Sequence, residues 1–223
     1  MAELQELVLR LTGGSTTPAQ RAVALHTFVR DIAFGFTAQG HCNPKASLFV
    51  DLLRAAGFQA RIHAVNIDAG ILAGCFPDWA GPRRVTHTYT EVQVPPQERW
   101  IRVDSYTVDR PLHEAAVARL RLEGRPMGWG VHARGTVDWD GASDAFCQYV
   151  EPEAQAAEDL GVFDSIEQVM RHPLYLHRGP LGLTYSSLLR PAALLLPAGW
   201  VQRVVNGRVD ALRAAGGERG ASS

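Results

Sequence analysis

"GHCNPKASLFVDLLRAAGF", residues 40–58, sets Cys42 at the opening of a run with helical periodicity. Ala46, Phe49, Val50 and Leu53 recur at i, i+3, i+4 and i+7, one apolar stripe of an α-helix, and Gly57 stands where a helix C-terminus favours glycine. The helix therefore starts near Cys42 to Pro44. A cysteine there is either a small core residue or a nucleophile whose thiolate the helix end helps to stabilise.

The neighbouring sequence supplies what such a helix needs to pack against. In "TTPAQRAVALHTFVRDIAF", residues 16–34, Thr17 is an N-cap, Pro18 takes the first helical position and Gln20 completes a capping box. Leu25, Phe28, Val29 and Ile32 form its apolar stripe. Downstream the period changes. Phe58, Ala60, Ile62 and Ala64 alternate with Gln59, Arg61 and His63, the pattern of a half-buried strand. "THTYTEVQV" and "RWIRVDSY" then read as a hairpin around the turn "PPQE". The Gly- and Pro-rich stretch from Asp68 to Arg84, which carries Cys75, Phe76 and Trp79, is a long loop and a candidate wall or lid.

Composition narrows the function classes. The chain has 223 residues, 46% hydrophobic and 20% charged, enough for one sizeable core or a domain with a large appendage. Lys+Arg 22 against Asp+Glu 23 leaves a formal net charge of -1, which offers no overall basic field for nucleic acid or anionic membrane. Three cysteines, Cys42, Cys75 and Cys147, are an odd number without CxxC spacing, so a disulfide framework and a structural zinc site are disfavoured and a reducing, cytoplasmic setting is expected. The first residues read as a short amphipathic helix rather than a signal peptide. "LLRPAALLLPAGW", residues 188–200, is interrupted by Arg190, Pro191 and Pro197 and reads as a buried helix and turn rather than a membrane span. The final "GGERGASS" reads as a loose tail.

The hairpin carries the polar residues that would make a reagent of Cys42. A four-residue turn at Pro95 to Glu98 sets Val94 opposite Arg99 and hence Tyr89 opposite Asp104, which makes His87 and Asp104 diagonal neighbours on one face. The carboxylate would hold the imidazole in one tautomer while its other nitrogen faces Cys42. That is a Cys-His-Asp triad.

With these residues in order, residues 16 to 107 resemble the core of the transglutaminase-like superfamily, a branch of papain-like cysteine enzymes. "QRAVALHTFVRDIAF", the Gly-x-Cys start of the second helix with its "RAAG" end, the "HTYTE" strand and the "VD" strand end carry the resemblance. It implies Cys42 as nucleophile, His87 as base and Asp104 as orienting acid; no cofactor or metal is expected. Members often carry a tryptophan before the cysteine; here Gln39, with the Cys42 backbone N–H, takes the oxyanion role by analogy with papain-like proteases. Tyr89 stands where the family usually has tryptophan and supports the site.

The remaining candidates have plainer readings. Cys75 and Cys147 are core or loop thiols, and His41 is a surface or supporting residue. His63 faces solvent, and Glu91 supports the sheet. Trp79, Tyr106 and Trp129 are candidate linings of an acyl pocket.

The expected fold is α+β, a papain-like, transglutaminase-like core with the Cys-bearing helix packed on an antiparallel sheet, and a mostly helical C-terminal extension. Residues 1–110 form the core and 111–223 the extension packed on it, with "GVFDSIEQVMRHPL" and "GWVQRVVNGRVDALRAAG" as its clearest helices. The expected function is acyl transfer through a thioester, by a protease or amidase rather than a cross-linking enzyme, on a peptide, protein or small amide or ester substrate. An inactive binding or scaffold module is the alternative, and a metal site of His41, Cys42 and His87 ranks last because its spacing matches no zinc signature. Oligomeric state is not legible in the sequence.

Overall fold

The computed structural model describes residues 2–37, 39–76, 82–150, 156–176 and 200–220. Helix α1 (Ala2–Thr12) leads into α2 (Pro18–Arg30), which opens on the anticipated capping box. The Gln20 N–H donates to Thr17 Oγ1 at 3.2 Å, and Thr17 N–H donates back to Gln20 Oε1 at 3.2 Å. Two of the donors that a helix start leaves unpaired are satisfied in this way. Helix α3 (Cys42–Ala55) lies beside α2, with Leu25 and Val29 buried against Ala46, Phe49, Val50 and Leu53. Full burial of a side chain such as Phe49 or Leu53 is worth about 1.5–3 kcal/mol.

Strands β1 (Gln59–Asp68) and β2 (Arg84–Gln93) pair antiparallel along their whole length, Gln59 with Gln93 through Asp68 with Arg84. Strand β3 (Ile101–Val103) pairs with β2 in the anticipated register, Thr90 with Val103 and Val92 with Ile101. It is shorter than the sequence pattern, because the Asp104 and Ser105 N–H groups turn away to the Ala145 carbonyl, at 3.0 and 3.2 Å. One sheet face buries Ala60, Ile62, Ala64, Val92, Ile101 and Val103 against the helices. The other buries Val65, Ile67, Val85 and Tyr89 with Ile71 and Tyr149.

The later chain completes this sheet as well as adding helices. Helix α4 (Arg110–Glu123) runs from the Asp109 N-cap to Gly124, left-handed at φ 63°. A small hairpin, β4 (Met127–Gly128) with β5 (Val131–His132), follows. Strand β6 (Ala156–Phe163) then pairs antiparallel with β1, giving the order β3-β2-β1-β6. Helix α5 (Ile166–Arg171) is short, so of the helix read over residues 161–174 the first three residues finish β6 instead. Helix α6 (Trp200–Gly220) matches the second expected helix and takes in the start of the presumed tail. Its Val205, Val209 and Leu212 bury against Leu112, Ala115 and Ala116 of α4. The architecture is thus a mixed helix and antiparallel-sheet fold with a helical C-terminus. Residues 188–199 of the apolar stretch lie outside the described residues, and among those described no helix is long and apolar enough to cross a membrane.

Candidate active site

Cys42 is the first residue of α3, and the turn before it is tight. A Cβ on Gly40 would sit 2.8 Å from the Ala33 and Gly35 carbonyl oxygens and from Thr37 Oγ1, so glycine is what lets the chain double back into the helix. The Gly40 carbonyl accepts from Gly35 N–H at 3.1 Å, and Gly40 N–H donates to Thr37 Oγ1 at 2.9 Å. Cys42 is half-buried, whereas Cys75 and Cys147 are fully buried. Burial pushes the Cys75 thiol up to about 12 and the Cys147 thiol well above its ordinary range. These two are the inert core thiols that the sequence suggested.

His87 lies on β2 beyond the point where pairing with β3 ends, and is 2% exposed. Its Nε2 donates to Asp104 Oδ2 at 3.0 Å, which leaves Nδ1 as the nitrogen for the Cys42 sulfur, the ring's second hydrogen-bond partner. Burial alone would lower the basicity of the imidazole. The hydrogen bonds and charges of Asp104 and Cys42 outweigh it and raise the pKa to about 9.

Asp104 is wholly buried, and its carboxylate is paid for by backbone. Oδ1 accepts from the N–H groups of Cys147 and Gln148, the latter at 3.2 Å, and Oδ2 accepts from Tyr149 N–H at 2.8 Å. This cradle comes from the later part of the chain. The register argument located Asp104 but could not locate its cradle, because backbone donors leave no side-chain signature.

Two further residues on α3 hold the site and were missed. Asn43 Oδ1 accepts from Thr88 Oγ1 at 3.1 Å and lies 3.6 Å from Cys42 Sγ, while its Nδ2 donates to Tyr175 Oη at 3.1 Å. Lys45, one turn past the cysteine and fully buried, donates from Nζ to the carbonyls of Arg30, Tyr106 and Thr107 at 3.2, 3.0 and 3.1 Å. It ties the Cys42 helix to the turn after Asp104. Burial lowers its pKa to about 7, against the pull of Asp109. A lysine in the apolar run was the available signal.

The supporting candidates fall into different places. Tyr89 is buried on the His87 side of β2, stacked between His63 (ring centroids 4.7 Å apart) and Tyr149 (5.6 Å). Tyr106 is not a pocket lining: it is fully buried in the core against Phe49, with Oη 2.8 Å from Thr90 Oγ1. His63 is not a free surface residue either, since its Nδ1 meets Glu91 Oε1 at 2.9 Å and its Nε2 meets Asp159 Oδ1 at 2.8 Å. Gln39 is exposed in the turn before Cys42. Trp129, at φ 59°, lies over Gly74 and, like Phe36 and Phe76, packs against the cluster around Phe34. Trp79 lies outside the described residues. His41 caps α3 by position, its Nδ1 2.9 Å from the Thr37 carbonyl oxygen, and among the described residues no group of His, Cys, Asp and Glu side chains is arranged to hold a metal ion.

Comparison with known families agrees with the site's setting. The core model of the transglutaminase-like superfamily matches residues 5–105, which run from within α1 to just past Asp104 and so include Cys42, His87 and Asp104. This part of the chain is a transglutaminase-like domain, and that superfamily typically consists of cysteine-dependent enzymes. No curated protein matches the chain.

Proposed function

We propose that this transglutaminase-like core is a working cysteine acyl-transfer enzyme, with Cys42 as nucleophile, His87 as general base and acid, and Asp104 as the orienting carboxylate. The observation that carries the reading is His87 held between two partners, Asp104 Oδ2 at 3.0 Å and the Cys42 sulfur. In the first half-reaction the Cys42 sulfur attacks the acyl carbonyl of an amide or ester. A carbon–sulfur bond forms, the carbon–heteroatom bond breaks, and His87 gives its proton to the departing amine or alcohol. In the second, water or an amine loses a proton to His87 and attacks the thioester, breaking the carbon–sulfur bond and releasing acid or amide. The proton then returns to sulfur.

The oxyanion donors in this reading are the Cys42 N–H, which belongs to the first turn of α3 where helical donors have no partner within the helix, and Gln39. Hydrolysis of a peptide or small amide is favoured over cross-linking; residues 1–110 carry the three reacting residues, and 111–223 pack on them, adding β6 to the sheet and the backbone donors to Asp104. Three free cysteines fit a reducing, cytoplasmic setting. The test is activity profiling with a peptide and ester library, with and without an amine acceptor. Turnover lost in Cys42→Ala is expected. A folded protein with no turnover on any member would favour the inactive scaffold instead.

A further inference from the structure

The segment just before the Cys42 turn is held by α6. Phe36 N–H donates to Asn206 Oδ1 at 2.8 Å, and the Phe34 carbonyl accepts from Arg213 Nη2 at 2.9 Å. Phe34 N–H donates to Asp109 Oδ2 at 2.8 Å, and Arg213 meets the same carboxylate, Nε to Oδ1 at 3.0 Å and Nη2 to Oδ2 at 2.8 Å. Asn206 and Arg213 stand two turns apart on α6, beside the apolar stripe of Val205, Val209 and Leu212 that seats this helix. A Cβ on Gly35 would come within 3.1 Å of Asn206 Oδ1, so a glycine there lets α6 close on the backbone.

The Cys42 turn is built on that segment. Gly35 N–H donates to the Gly40 carbonyl at 3.1 Å, and Thr37 Oγ1 accepts from the N–H groups of Gln39 and Gly40, at 3.4 and 2.9 Å. The loop that carries Gln39 and leads into the Cys42 N–H therefore rests on backbone bonded to α6. Its two fastenings differ in what their loss would do. Phe34 and Asp109 are each 4% exposed, so removing Arg213 would leave a buried carboxylate short of its cation and disturb the fold broadly. Asn206 accepts from the loop at one backbone amide, from a half-buried position, and its loss frees the loop with the Asp109 pair intact.

We infer that Asn206 is a positioning residue for acyl transfer: by accepting from Phe36 N–H it fixes the loop that brings Gln39 and the Cys42 N–H to the developing oxyanion. This rests on the acyl-transfer reading above. Two reagents separate the oxyanion donors from the thiolate. p-Nitrophenyl acetate acylates Cys42 through a tetrahedral oxyanion, a carbon–sulfur bond forming as p-nitrophenolate leaves, whereas iodoacetamide alkylates the same sulfur as iodide leaves and develops no oxyanion. The quantity read is the ratio of the two rates at Cys42, with the Cys42→Ala background subtracted and glutathione as reference thiol, so that the thiolate fraction cancels. The ratio in the unaltered protein should exceed that of glutathione by about 10². In Asn206→Ala it should fall by about tenfold or more with alkylation little changed, since misplacing a group by about 1 Å can cost 10². Asn206→Gln, which moves the acceptor by one methylene, gives a second reading should the alanine variant fail to fold. Asn206→Asp keeps an acceptor in the same place and should recover most of the ratio. A ratio that survives Asn206→Ala or Asn206→Gln, or that falls equally in Asn206→Asp, overturns the positioning role and leaves the enzyme reading standing. A ratio in the unaltered protein equal to that of glutathione overturns the enzyme reading and the positioning role with it.

Discussion

His87 Nε2 lies 3.0 Å from Asp104 Oδ2, and the two residues are 2% and 0% exposed. A hydrogen bond so placed fixes the imidazole tautomer in a site where water does not compete, and it assigns the two ring nitrogens to different tasks. The carboxylate is in turn held by the backbone of Cys147, Gln148 and Tyr149, so its position does not depend on His87 alone.

Asp104→Asn should therefore fail twice. An amide can keep one oxygen on the Cys147 and Gln148 donors, but its NH2 then faces the Tyr149 N–H and His87 Nε2. The expected loss in kcat is on the order of 10⁴, as for orienting carboxylates in comparable triads. Stability should fall by about 1–3 kcal/mol for the unpaired Tyr149 donor, readable in a denaturant melt. Near-normal kcat in the folded variant would remove Asp104 from the mechanism.

The pH profile follows from the raised pKa of His87. With its folded value about 9 against an ordinary 6.5, the ring stays protonated through neutral pH and delivers its proton to the leaving group until pH passes 9. The alkaline limb of kcat/KM should fall near pH 9. Asp104→Asn, which removes one source of the upward shift, should move that limb to lower pH. An alkaline limb that stays in place would show that another group titrates.

Much of this site was legible because it lies where local pattern and register coincide. The Thr17–Gln20 capping box, the apolar stripe of α3 and the PPQE turn are short-range features, and they sufficed to bring His87 and Asp104 together. Strand β6 was hidden. Its sequence AAEDLGVF carries Glu158 and Asp159, which serve Asn66 and His63, and its register shifts twice against β1, so no alternation of apolar residues survives. Tyr106 looked like a pocket residue because a hydroxyl on an aromatic ring fits either setting; its partner Thr90 lies across the hairpin, in the core.

His63 offers a separate test of how β6 is held. Both its ring nitrogens face carboxylates, from β2 and from β6, an arrangement that needs the doubly protonated ring. Burial opposes the charge, but the bonds to Glu91 and Asp159 prevail and raise the pKa. A raised histidine contributes stability that is complete below its ordinary value near 6.5 and lost as pH rises through the folded value. Amide exchange in Ala156–Phe163, corrected for intrinsic rates, should thus speed up on going from pH 6 to pH 9 in the native protein and show no such dependence in His63→Gln. Equal behaviour of the two would mean that β6 is held by its ladder alone.

Truncation after residue 110 removes β6 from the edge of β1 and takes away the three donors to Asp104. Such a fragment should be insoluble or melt without cooperativity. A soluble, cooperatively melting 1–110 fragment would show that the two parts fold independently.

Selective alkylation tests the central claim most directly. Iodoacetamide at limiting concentration near pH 6 should label Cys42 first, because it is half-buried beside His87 while Cys75 and Cys147 are enclosed thiols with raised pKa values. Peptide mass spectrometry then counts the modified fraction at each cysteine. The account predicts label at Cys42 alone, reduced by about tenfold or more in His87→Ala, where the thiol remains but its imidazole partner is gone. Equal labelling of all three cysteines in the folded protein, or labelling of Cys42 unchanged by His87→Ala, would contradict it.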